Sequence, residues 1–121
     1  MRTSAQRLGD AAETLVADRL ADRGWDILGR QVRVGRAEID LIAVDPGPPR
    51  ALVFLEVRWR ARRDYGLPED TIDHAKRTRL RAAAFRLLES PGRLDLPRLP
   101  VRFDLVVVEP GNRIRHHRHG A

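Results

Sequence analysis

At 121 residues the chain is long enough for one hydrophobic core and too short for two, which excludes a multi-domain protein. With 42% hydrophobic and 33% charged residues, and no apolar run approaching the ~20 residues of a membrane helix, it reads as a globular domain with no membrane partner. Zero cysteines exclude a disulfide scaffold, a thiolate zinc site and a cysteine nucleophile, while 23 basic against 17 acidic residues (+6) favour a polyanionic partner such as nucleic acid.

Lys76 is the sole lysine, and the arginine excess is more like GC-rich codon usage than selection at each site, so single arginines carry little weight. The first seven residues lead into an amphipathic pattern and not into an apolar signal segment, from which a cytoplasmic address is expected. From Thr3 to Arg23, Ala5, Leu8, Ala12, Leu15, Val16 and Leu20 recur at helical spacing, and Gly24 is a natural stop. Trp25 to Leu28 and Gln31 to Val34 read as extended chain, turning at Gly35-Arg36 into a second strand, Ala37 to Val44. Three prolines in Asp45-Pro46-Gly47-Pro48-Pro49 end that strand, and Ala51 to Trp59 forms a third.

Arg60 to Leu67 reads as a basic loop. Pro68-Glu69-Asp70 supplies helix-start chemistry for a second helix to about Leu88, ended by Ser90-Pro91-Gly92. Val101 to Val108 has the apolar density of a buried fourth strand. The order α-β-β-β-α-β predicts an α/β domain, residues 1–110, with a mixed sheet flanked by helices; residues 111–121 read as a flexible, basic, histidine-rich tail.

Alternation along strands puts Glu38 and Asp40 on one face of the second strand, and Phe54, Glu56, Arg58 and Arg60 on one face of the third. If these strands are neighbours, Asp40 and Glu56 lie side by side, at a cost of several kcal/mol, on the order of 3 to 5, unless a cation offsets them. A hard divalent ion, Mg²⁺ or Mn²⁺, would do so; so would Arg58 and Arg60 in a purely structural network, and pattern alone leaves both open. Glu13 borders the apolar stripe of the first helix and is a candidate third acid. Lys76 falls within the inward stripe of the second helix with Ile72, Ala75, Leu80, Ala83, Ala84 and Leu87, so it is expected to meet acidic groups or a substrate phosphate, or else to snorkel past its neighbours to water.

Gly9-x-x-x-Glu13, Gly35-Arg36-Ala37-Glu38-Ile39-Asp40-Leu41-Ile42-Ala43, Val53-Phe54-Leu55-Glu56-Val57-Arg58-Trp59-Arg60, Lys76-x-x-Arg79-Leu80 and Arg102-Phe103-Asp104-Leu105-Val106-Val107 resemble the successive signatures of the YraN family of uncharacterised bacterial proteins. That family is similar to the restriction-endonuclease-like superfamily, which includes Holliday-junction resolvases and whose metal site joins a first-helix Glu, an Asp and a Glu-x-Lys motif. The resemblance implies a restriction-endonuclease-like fold, with Glu13, Asp40 and Glu56 as metal-binding and catalytic acids, the Val57 carbonyl as a further ligand, and Arg58 facing the scissile phosphate. The usual lysine is replaced by Arg58, which stabilises charge but cannot serve as a general base, and Lys76 is the candidate to compensate.

DNA contact is expected from Arg60, Arg62 and Arg63 beyond the third strand and from Arg77, Arg79 and Arg81 on the second helix. Trp59 and Tyr65 fit packing better than base stacking. The implied functions are a Mg²⁺- or Mn²⁺-dependent DNA endonuclease or resolvase-like phosphodiesterase, a non-catalytic nucleic-acid-binding module, or an interaction partner of DNA-processing factors. A homodimer follows by analogy with resolvases.

Overall fold

Thr3 opens the first helix, α1 (Ser4–Asp22). Its hydroxyl accepts from the Gln6 N–H while the Gln6 side chain accepts from the Thr3 N–H, so two orphan donors of the helix end are satisfied reciprocally. Gly24, at φ +88°, reverses the chain, with its N–H bonded to Ala21 O and the Trp25 N–H to Leu20 O. The structure, a computed structural model, describes residues 2–60, 74–90 and 92–121.

Among the described residues five strands follow in one sheet of order β1-β2-β3-β4-β5: β1 (Asp26–Val34), β2 (Ala37–Asp45), β3 (Ala51–Trp59), β4 (Val101–Glu109) and β5 (Arg113–His117). Strands β1 to β3 form an antiparallel meander, β4 runs parallel to β3, and β5 returns antiparallel to β4. The parallel step needs a long crossover, which carries the second helix, α2 (His74–Leu88). The expected start of this helix at Pro68-Glu69-Asp70 lies outside the described residues.

The helices cover opposite faces of the sheet. Leu41, Ala43, Val53, Leu55, Val106 and Val108 pack with Ala12, Val16, Ala17 and Leu20 of α1. Ile42, Leu52, Phe54, Phe103, Leu105 and Val107 pack with Leu80, Ala83, Ala84 and Leu87 of α2. Coverage on both sides is why Leu52 to Leu55 of β3 and Leu105 to Val108 of β4 read as unbroken apolar runs.

At three places the chain departs from its sequence pattern. Ala5 and Leu8 are exposed, Leu8 by 42%, because the buried part of α1 begins only at Ala12. Ala75, expected to face inward, is exposed as well. The segment expected as a flexible tail instead contains β5, and Ala121 is buried with its N–H on Phe103 O and its carbonyl accepting from Arg81.

The anchor for β5 is Asp104, a fully buried carboxylate. It accepts from Arg102 Nε and Nη2 (2.9 Å each) and from the His119 N–H (3.1 Å), and lies 2.8 Å from His116 Nε2. Arg102 also reaches Asp45 Oδ2 at 2.9 Å. Burial by itself would raise the pKa of Asp104, but His116, Arg102 and the His119 amide outweigh it and bring the carboxyl down to about 2. His116 and His117 are thus part of the sheet edge, while His119 lies beyond β5, exposed, and contributes its backbone N–H.

Candidate metal centre

The acids meet where the regular ladder is interrupted. β1 and β2 pair at Arg30↔Leu41 and next at Val32↔Ile39, stepping over Gln31, which sits at φ +48°, and Asp40. Ile39 joins the core on the α2 side, whereas Leu41, two residues on, joins the core on the α1 side. In a regular strand these residues would share a face, so the alternation breaks at Asp40. On the other flank, the β2–β3 ladder begins at Leu41↔Leu55, one step from Asp40 and Glu56. Asp40 Oδ2 accepts from the Val57 N–H at 2.8 Å, tying the acid to β3 through its side chain.

Glu13, Glu38 and Asp40 each offer a carboxylate oxygen such that all three atoms lie within 4.8 Å of one another. Glu13 comes from the inner face of α1, is 7% exposed, and its buried Oε1 has no hydrogen-bond partner. An unsatisfied buried carboxylate oxygen costs free energy, and a cation among the three acids would satisfy it. Burial pushes the Glu13 pKa up, with Glu38 and Asp10 adding to the shift and Gln31 opposing it. Asp40 rises further, from 3.8 to about 8, first through burial and then through repulsion by Glu56. An all-oxygen set of this kind suits Mg²⁺ or Mn²⁺.

Glu56, 8% exposed, is held by Lys76, whose Nζ lies 2.6 Å from Oε1, and Arg58 Nε lies 3.9 Å from the same oxygen. The sole lysine does meet an acid, although its side chain is 41% exposed and not fully inward. The structure therefore brings Glu13, Asp40, Glu56, Arg58 and Lys76 to one end of the sheet, but the tightest acid triplet contains Glu38 in place of Glu56. Alternation along β2 places Glu38 on Asp40's face without assigning it a site role. Val57 contacts Asp40 through its amide donor.

Among the expected nucleic-acid contacts, Arg79 lines an open cavity of 180 Å³ with Glu38, Glu56, Lys76 and Arg36. Arg77 is exposed one residue round the helix from Lys76. Arg81 turns toward the Phe103 ring, 4.4 Å from its centroid, away from the acids. Arg60 continues β3 with its N–H on Val108 O, and Trp59 packs against the α1-side core. Arg62, Arg63 and Tyr65 lie outside the described residues.

Fold and site together define a small α/β domain with a five-stranded mixed sheet and an acidic cluster at its irregular end. Residues 12–108 match the family described as uncharacterised protein family UPF0102, and the chain belongs to that family. It is similar to the UPF0102 proteins of Symbiobacterium thermophilum, 43% identical over 88% of this chain and 86% of that one, and of Roseiflexus castenholzii, 44% identical over 88% and 82%. The UPF0102 protein of Anaeromyxobacter dehalogenans is 40% identical over 92% of this chain and 81% of its own. No helix among the described residues is long and apolar enough to cross a membrane.

Proposed function

We propose that this chain is a divalent-metal-dependent DNA endonuclease, a resolvase-like phosphodiesterase whose ion is Mg²⁺ or Mn²⁺. The observation that carries the reading is that Glu13, buried and with an unpartnered Oε1, brings a carboxylate oxygen to within 4.8 Å of one each from Asp40 and Glu38. Those three residues would hold the ion, with Glu56 beside them. A hard divalent ion there supplies Lewis acidity to a phosphoryl group. Arg58 would present its guanidinium to the phosphate, for which its planar fork is suited. Lys76, on Glu56, is the neighbouring group able to exchange a proton at Nζ, a step closed to arginine.

The test is Mn²⁺ titration calorimetry on the wild type and on Glu13→Gln and Asp40→Asn, paired with cleavage of branched, nicked, single-stranded and duplex DNA. Wild-type binding abolished in both variants, together with metal-dependent cleavage, supports the proposal. Undiminished binding in both variants would put the ion elsewhere.

A second reading, a nucleic-acid-binding module without turnover, is favoured by Arg58 standing where the resembled superfamily has lysine. Metal and DNA binding with no hydrolysis of any substrate would select it.

A further inference from the structure

Beside the acids, between the β1–β2 turn and α2, runs a groove built of cations and small side chains. Arg36 on the turn and Arg79 and Arg86 on α2 surround Ala37, Ala82 and Ala83 in an open cavity of 230 Å³ whose lining contains no carboxylate. Arg79 and Arg86 are seven residues apart, two helical turns, and so share a face, with the alanines between them as a low floor. Arg36, Ala37 and Arg79 also line the neighbouring cavity, which ends on Glu38, Glu56 and Lys76. The two cavities thus adjoin, with three lining residues in common, and the second borders the acidic cluster.

The third guanidinium is positioned by a glycine. Gly35 turns the hairpin at φ +61°, and a Cβ added there would stand 3.0 Å from Arg86 Nη1. The bare turn lets Arg86 lie against it, bringing a helix arginine beside Arg36. All three arginines are exposed, and no ion pair among the described residues involves them. No carboxylate lines the cavity the three share, so their like charges repel one another there, and a ligand with regularly spaced negative charges relieves that repulsion.

We propose that this groove seats the phosphate backbone of duplex DNA, with Arg36, Arg79 and Arg86 each contacting phosphate and directing the strand toward the acids. The proposal rests on the nuclease reading for its partner, and assigns the approach path to the face between the turn and α2. It adds Arg36 and Arg86, which the sequence pattern does not single out.

The probe is a fluorescent DNA duplex titrated with the wild type, with Arg36→Ala/Arg79→Ala/Arg86→Ala, and with a charge-matched control, Arg23→Ala/Arg98→Ala/Arg113→Ala. Anisotropy is measured over a range of salt in Ca²⁺ buffer. Removing one arginine–phosphate pair should flatten the plot of log affinity against log salt by ~0.9, so the groove variant should fall by between about 2 and 3 in slope and by at least about tenfold in affinity near 0.1 M salt. The control should keep most of both. Replacing the three arginines by lysine should preserve the slope, which separates removal of charge from any damage to the fold.

Equal reductions in groove and control variants would reduce the effect to net charge and overturn the proposal. So would a groove variant that binds as tightly as wild type, or a wild type that does not bind the duplex. Mn²⁺ calorimetry on the groove variant, which leaves the acids untouched, reports on the metal site separately, so failure of the path and failure of the nuclease reading are distinguishable.

Discussion

Asp40→Asn is expected to make the metal-free protein more stable. Burial, and then the Glu56 carboxylate, push Asp40 from 3.8 to about 8, so the folded chain retains a proton that the unfolded chain gives up near pH 4. The sign follows from linkage. The stability contribution is intact below 3.8, shrinks as pH rises, and is fully gone above about 8. Each tenfold mismatch in proton affinity is worth about 1.4 kcal/mol, so at pH 7 the acid costs the apo fold on the order of 4 kcal/mol as an upper bound.

Asparagine keeps the volume and an oxygen for the Val57 N–H, and its amide offers donors to Glu13 and Glu56. It also requires those donors to be satisfied, so a net gain of about 1 to 2 kcal/mol is expected, seen as a rise of roughly 5 °C or more in Tm. Thermal unfolding followed by circular dichroism in EDTA, at about pH 4 and about pH 8, reads the difference, and the gain belongs to the higher pH. Mn²⁺ should then raise the Tm of the wild type and leave that of the variant nearly unmoved. A variant less stable than wild type at both pH values, or a gain independent of pH, would refute the idea that Asp40 is held against repulsion.

Three further outcomes are expected. Asp104, brought down from 3.8 to about 2, contributes stability that is present above about pH 4 and disappears as pH falls toward 2; Asp104→Asn should cost at least about 2 kcal/mol at neutral pH and flatten the acid limb of a denaturation series. Phe54→Ala empties a fully buried position stacked on Phe103 at a centroid distance of 5.7 Å, and should cost about 3 to 5 kcal/mol by urea denaturation. Hydrolysis of branched DNA by the wild type with Mn²⁺ should be weak. Arg58→Lys should raise it by at least about tenfold, and a further fall with Arg58→Lys would mark arginine as the working group.

The sheet's centre was legible in the sequence because burial on both faces writes itself as an unbroken apolar run, as in Leu52 to Leu55 and Leu105 to Val108. The α1 boundaries were legible because Thr3, Gln6 and Gly24 carry the cap chemistry locally. β5 was not, since Arg113 to His117 is polar, short and at an edge, and is ordered by Asp104 and the β4 ladder, which are remote in sequence or in kind. The site acids Glu13, Asp40 and Glu56 could be picked out as carboxylates at apolar positions. The part played by Glu38 could not: alternation puts it on Asp40's face, but nothing along the strand says that α1 brings Glu13 against that face. Arg36 and Arg86 were hidden for another reason: they meet only through the packing of a helix over a glycine turn fifty residues earlier in the chain.

The ion pair between Lys76 and Glu56 has a practical corollary in a protein with a single lysine. Amine-selective acylating reagents would find only Nζ of Lys76 and the α-amino group, so the chain carries an intrinsic chemical reporter at its acidic cluster. While Glu56 Oε1 lies 2.6 Å from Nζ, the ion pair screens the nitrogen from the reagent and acylation is slow. A dication that competes for Glu56 should quicken labelling, and a polyanion laid across the ammonium should suppress it. Mass spectrometry after a brief pulse of reagent would then read occupancy of the cluster, without a tag, a fluorophore or a turnover assay.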